Sequence, residues 1–127
     1  MATYTEPNFY SVSLCRANPN VIFVYGDNMI GKGTAGQATI RNCPNSFGIP
    51  TKRLPSMKDG SFFNDSPDEF NAVFQALNRL FQLSQTHDIV FPAKGIGTGL
   101  ARMNQHSPKL YTYMIETLAS SFGFNQQ

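Results

Sequence analysis

Tryptophan is absent, cysteine occurs twice, and only 14% of the 127 residues carry a charge. Cys15 and Cys43 stand far apart, form no C-x-x-C pair and have no histidines at zinc-ligand spacing, so they are read as reduced thiols. A metal site is not expected. The low charge density goes with 41% hydrophobic residues, which excludes a disordered, self-repelling chain. A formal net charge of +2 is too small for the basic face of a nonspecific nucleic-acid binder, but leaves room for an anionic small molecule as partner. No apolar run approaches the roughly 20 residues of a membrane span. The opening MATYTEPNFY lacks the basic start and apolar run of a secretory signal. The expected location is the cytoplasm.

What is present is an aromatic core, with eleven Phe and five Tyr in a chain of ordinary single-domain length. No repeat, low-complexity run or linker divides residues 1–127, so one domain is expected. Val21 to Tyr25 (VIFVY) is a continuous β-branched and aromatic run, which predicts a central strand buried on both faces. His87 to Pro92 (HDIVFP) predicts a second strand, and Phe47 to Thr51 a weaker third interrupted by Pro50. Ser66-Pro67-Asp68-Glu69 supplies a cap, a first-position proline and a capping-box glutamate ahead of Phe70, Val73, Phe74, Leu77, Leu80 and Phe81 at helical spacing. A second long helix opens at Ser107-Pro108 and stops at Gly123, and a shorter one is expected from just after Lys32 to Cys43. This alternation describes an α/β layered domain.

Two glycine loops follow the two best strands. Gly26-Asp27-Asn28 leads into Gly31-Lys32-Gly33-Thr34-Ala35-Gly36, and Phe91-Pro92-Ala93-Lys94 leads into Gly95-Ile96-Gly97-Thr98-Gly99-Leu100. Loops of this kind bring backbone N–H groups to a phosphate, because glycine lets the backbone approach without a Cβ. Gly31 to Gly36 formally matches the dinucleotide pattern G-x-G-x-x-G. It is displaced from the strand end, though, and no acidic residue stands about 20 positions on. Gly26 to Lys32 begins like a nucleotide-triphosphate loop, but Gly33 replaces the hydroxyl residue that would hold magnesium and Asp27 introduces a carboxylate. Both motifs are rejected. If the strands are parallel, the two loops face one crevice and can hold a diphosphate between them; antiparallel strands would send them to opposite edges.

The turn Val24-Tyr25-Gly26-Asp27-Asn28 with its glycine cluster, and the run Phe91-Pro92-Ala93 with Gly95-Ile96-Gly97-Thr98-Gly99, resemble the macro domain family of ADP-ribose binders and hydrolases. Small phage-encoded macro-like proteins are the nearest likeness. The resemblance implies a small three-layer α/β/α domain with a mixed, mainly parallel sheet. It implies an ADP-ribose-like ligand and no cofactor, with Asn28 on the distal ribose and Thr98 and Gly99 on phosphate. It also implies a metal-independent hydrolase of a derivative such as ADP-ribose 1″-phosphate, with Asp27 as candidate base beside Asn28. A non-catalytic binder that sequesters such a nucleotide, as a phage counter-defence protein would, is the alternative, and an RNA-binding module a weaker one. The family's final strand, which usually brings an aromatic residue to the adenine, has no counterpart after Phe124.

Other chemistry-bearing residues have simpler readings. Asp27 can instead cap the following turn. Lys32, Arg41, Lys52, Arg53 and Lys58 read first as solvated basic loop residues, although Lys32 can add charge to a phosphate and the other four can line the site or contact RNA. His87 and His106 flank structural elements, and Phe47, Phe62 and Phe63 are assigned to packing.

Overall fold

The computed structural model describes residues 2–126. Strands β1 (Thr3–Glu6), β2 (Val21–Asn28), β3 (Ser46–Lys52) and β4 (Asp88–Pro92) form one sheet in the order β1-β4-β2-β3. Helices α1 (Val12–Ala17), α2 (Pro67–Ser84), α3 (Met103–His106) and α4 (Pro108–Phe122) surround it, with 3-10 turns at Gly36–Ile40 and Gly99–Ala101. All three strand pairings are parallel. Among the described residues, the antiparallel component expected of a mixed sheet is reduced to an isolated bridge between Lys52 and Phe62.

Alternation along β2 sorts the core into two layers. Val24 points to the face covered by α2 and α4, where it joins Ile49, Ile89, Phe91, Leu77, Leu80, Met114 and Leu118. Phe23 and Tyr25 point to the opposite face, where they meet Cys15 of α1 with Ala38 and Ile40 of the first 3-10 turn. A strand buried on both faces must be apolar throughout, which is what VIFVY supplies. Each fully buried aliphatic side chain contributes about 1.5–3 kcal/mol by leaving water, so this double-sided packing fixes the central strand firmly.

The two long helices begin and end where the sequence signals stand. The Glu69 carboxylate reaches back to accept from the backbone of Ser66 at 3.2 Å and Asn64 at 2.8 Å, holding the first turn of α2. Gly123 closes α4 at φ 71°. The cap of α4, however, comes from a distance: Asp65 Oδ1 accepts from the Leu110 N–H at 2.8 Å, while Ser107 is buried and bonds back to Met103. No helix among the described residues is long and apolar enough to cross a membrane.

Three elements depart from the sequence reading. The helix expected from after Lys32 to Cys43 is only the 3-10 turn Gly36–Ile40, because Gly33 takes φ of 93°, outside the right-handed helical region, and Gly36 at 59° lets the turn begin no earlier. Strand β1 has no counterpart in that reading, and neither has α1. Strand β1 is four residues with exposed central side chains, and it lies at the sheet edge against β4. Helix α1 is six residues and buries Cys15 alone.

Candidate functional site

The order β1-β4-β2-β3 puts a topological switch between β2 and β4: β3 follows on one side of β2, and β4 returns to the other. Crevices form at the carboxyl ends of parallel strands at such points. Here the ladder between β2 and β4 runs only from Val21 and Asp88 to Phe23 and Val90, so the two strands are unpaired beyond that rung. The Tyr10 hydroxyl sits at the fork, shared between the carbonyls of Val24 at 2.7 Å and Val90 at 3.3 Å. Burial pushes its pKa above the ordinary phenol range, so it remains a donor.

Farther out, the Gln37 side chain replaces the missing rung. Its carbonyl accepts from the Gly26 N–H at 2.9 Å and its amide donates to the Gly95 carbonyl at 2.8 Å. One side chain therefore ties the root of the first glycine loop to the root of the second. Between the two loops lies a cleft of about 540 Å³. Gly26, Asp27, Asn28, Lys32, Gly33, Thr34, Ala35 and Gly36 line one side, and Gly95, Gly97, Thr98, Gly99 and Leu100 the other.

Two of the residues assigned to ligand contact do not reach it. The Ile96 side chain is fully buried in the core, and both its backbone groups are held by Gln126, the N–H at 2.8 Å and the carbonyl at 2.7 Å. Gly31 is outside the cleft lining, its N–H bonded to the Asn28 carbonyl at 3.2 Å. By contrast, the N–H groups of Gly33, Thr34, Ala35, Gly97 and Thr98 meet no acceptor among the described residues. Gly97 is required where it stands: at φ 85°, a Cβ would lie 2.5 Å from Met103 Sδ.

Asp27 and Asn28 both border the cleft, but Asp27 Oδ1 and the Asn28 amide serve the loop. Asp27 Oδ1 accepts from the Asn28 N–H at 2.7 Å and pairs with Arg41 Nη1, also at 2.7 Å. Its carboxylate packs over Gly48 so closely that a Cβ there would lie 2.7 Å from Oδ2. The Asn28 amide donates to the Lys32 carbonyl at 2.7 Å and accepts from the N–H groups of Ile30 and Lys32. This is the side-chain-mimicked turn that Asn and Asp form readily.

Arg41 leaves the solvated class that the sequence reading prefers for it and lines the cleft. It is largely buried, and its guanidinium also donates to the carbonyls of Gly33 at 2.8 Å and Lys32 at 3.1 Å. Its planar fork suits this multiple engagement. Gln37 and Gln126 have no place in that reading, since a lone glutamine carries no signal of where its amide will land. Arg53 likewise leaves the solvated class: its Nη2 meets Asp68 at 2.9 Å, and its Nε lies 2.6 Å from Glu69, though off the hydrogen-bonding axis to that oxygen.

The cleft is electropositive. Four cationic side chains, Lys32, Arg41, Lys52 and Lys94, line it against one acidic side chain, Asp27. Pairing of Asp27 with Arg41 leaves three lysines. Lys52 is buried, with its ammonium 2.6 Å from the Ser56 carbonyl and 4.9 Å from the Phe62 ring. Burial, and secondarily Arg102, pull its pKa below that of an ordinary lysine. An anion beside it would relieve that penalty. Among the described residues, no three His, Cys, Asp or Glu side chains cluster as metal ligands.

A protein-family model, described as a family of unknown function (DUF7831), matches residues 5–117. No curated protein and no solved structure matches the chain.

Proposed function

We propose a function from the site alone, because the chain belongs to the DUF7831 family and that family's function is unknown. The protein binds the diphosphate of an ADP-ribose-like nucleotide between its two glycine loops. The observation that carries this reading is the unbonded N–H groups on both loops, in residues that line one lysine-rimmed cleft at the carboxyl ends of parallel neighbours β2 and β4. Backbone donors and lysines together neutralise an anion without a metal. The likeness of both loops to macro domains supplies the ligand class, and a cytoplasmic setting goes with it.

Binding fits the contacts better than hydrolysis. A carboxylate that acts as a base must present a free oxygen to water. Asp27 instead has Oδ1 taken up by Arg41 and by its own turn and Oδ2 packed over Gly48, and the Asn28 amide is engaged by the loop. The sequestering role is therefore preferred over the phosphatase. Calorimetric titration with ADP-ribose, followed by chromatography of the recovered ligand, tests this. Saturable binding with the ligand intact is expected, together with a raised Tm. Absence of binding overturns the reading. Phosphate release from ADP-ribose 1″-phosphate that disappears in Asp27→Ala would make the protein the hydrolase.

A further inference from the structure

Beside the cleft lies a smaller pocket of about 260 Å³, which shares Gln37 and Lys94 with it as common walls. Its remaining surface comes from the segment after β1 and the end of β4. Pro7, Phe9, Pro92 and Ala93 make it mainly apolar. Phe9 is 83% exposed, the most exposed large hydrophobic side chain among the described residues. Its ring is touched by Lys94, whose ammonium lies 5.9 Å from the ring centre. A phenyl ring left in water beside an apolar recess gains by being covered with another flat aromatic surface.

The polar groups of the pocket are mostly engaged. The Tyr10 hydroxyl is bonded to Val24 and Val90, and the Gln37 amide to Gly26 and Gly95. Asn8 donates to Glu6 and keeps its side-chain carbonyl, and Lys94 keeps its ammonium. Recognition of one base over another needs several placed donors and acceptors. Stacking needs only a π-face, which every base has.

We infer that the small pocket is a nucleobase subsite in which the base of the ligand stacks on Phe9 without being read along its edge, so that the protein tolerates different bases. This rests on the reading of the larger cleft as the diphosphate site, which the shared Lys94 joins to the base. The stacking aromatic comes from the N-terminal segment, ahead of α1.

The test is calorimetric titration of the wild-type protein, Phe9→Ala and Phe9→Tyr with inorganic pyrophosphate, ADP, GDP, CDP and UDP. Phe9 is exposed, so each variant is expected to fold, and a thermal melt checks this. The four nucleotides should bind the wild type about tenfold more tightly than pyrophosphate does, and within about threefold of one another. Phe9→Ala should bring them down to the pyrophosphate level while leaving pyrophosphate unchanged, and Phe9→Tyr should retain the gain. If pyrophosphate binds but the nucleotides gain nothing, or Phe9→Ala has no effect on them, the base subsite is overturned and the diphosphate cleft stands. A preference of more than about tenfold for one base overturns the tolerance. If neither pyrophosphate nor any nucleotide binds, both readings fall.

Discussion

Arg41 Nη1 lies 2.7 Å from Asp27 Oδ1, and the same guanidinium holds the carbonyls of Lys32 and Gly33. The pair thus binds the end of β2 to the glycine loop that follows it. Removing one partner of a largely buried pair leaves the other uncompensated. Arg41→Met is expected to lower unfolding free energy by about 2–4 kcal/mol in urea titration. Arg41→Lys should recover little, since an ammonium cannot reach all three acceptors in one plane. A double-mutant cycle with Asp27→Asn should show a coupling above about 1 kcal/mol.

Gln37 makes a different prediction, because its amide both accepts and donates across the gap between β2 and β4. Gln37→Glu keeps the shape and the acceptor but sets a carboxylate against the Gly95 carbonyl. A cost of about 1–3 kcal/mol is expected in stability. Anion affinity should fall further than in Gln37→Met, because the new charge faces a cleft that attracts anions. Unfolding curves and phosphate-analogue titrations on both variants separate the two effects.

The thiols offer a chemical check on the second core layer. Cys15 and Cys43 are both buried, and burial, followed by the neighbouring Cys43, pushes the Cys15 thiol up to about 12. The thiolate is the reactive species. A disulfide-exchange reagent such as Ellman's should therefore label the native protein very slowly at neutral pH. Both thiols should react within seconds once the protein is unfolded in guanidinium. Rapid labelling of the native state would contradict the packing of α1 against the sheet.

Acid sensitivity is expected at the start of α2. Hydrogen bonding from Arg53, and then from Ser66, holds the Asp68 carboxyl down at about 2 against its ordinary 3.8. The folded state therefore keeps this group ionised to lower pH than the unfolded chain does. Its contribution is complete above about pH 4 and is lost as the pH falls through about 2. Thermal melts between pH 5 and pH 2 should show a shallower decline for Asp68→Asn than for the wild type. Because Asp68 is well exposed, added salt should shrink the difference.

Legibility of this molecule in its sequence followed the amount of apolar surface each segment buries. VIFVY, DIVFP and the α2 and α4 stripes announce themselves because burial on one or two faces demands a pattern. TYTE does not, since an edge strand with exposed central side chains can be almost any polar run. The stretch after Lys32 looked helical from its spacing, and the left-handed glycines overruled it. In the cleft, glycines, Asp27, Asn28 and the lysines were visible as types in a loop. Gln37 and Gln126 were not, because each acts on backbone atoms brought near by the fold rather than by the chain, and Arg41 stood only as one of four basic residues that can line the site.

Gln126 has a temporal consequence as well. Its amide holds Ile96, thirty residues earlier, and donates also to the Tyr111 hydroxyl. A nascent chain that reaches only Leu100 holds every glycine of the second loop, yet the clamp that sets the loop is still unsynthesised. The first strand waits too, since Thr3 has no partner until Ile89 appears. The second wall of the cleft is therefore set only after α4 has been made, and a nascent chain should acquire ligand affinity only once Gln126 has followed that helix.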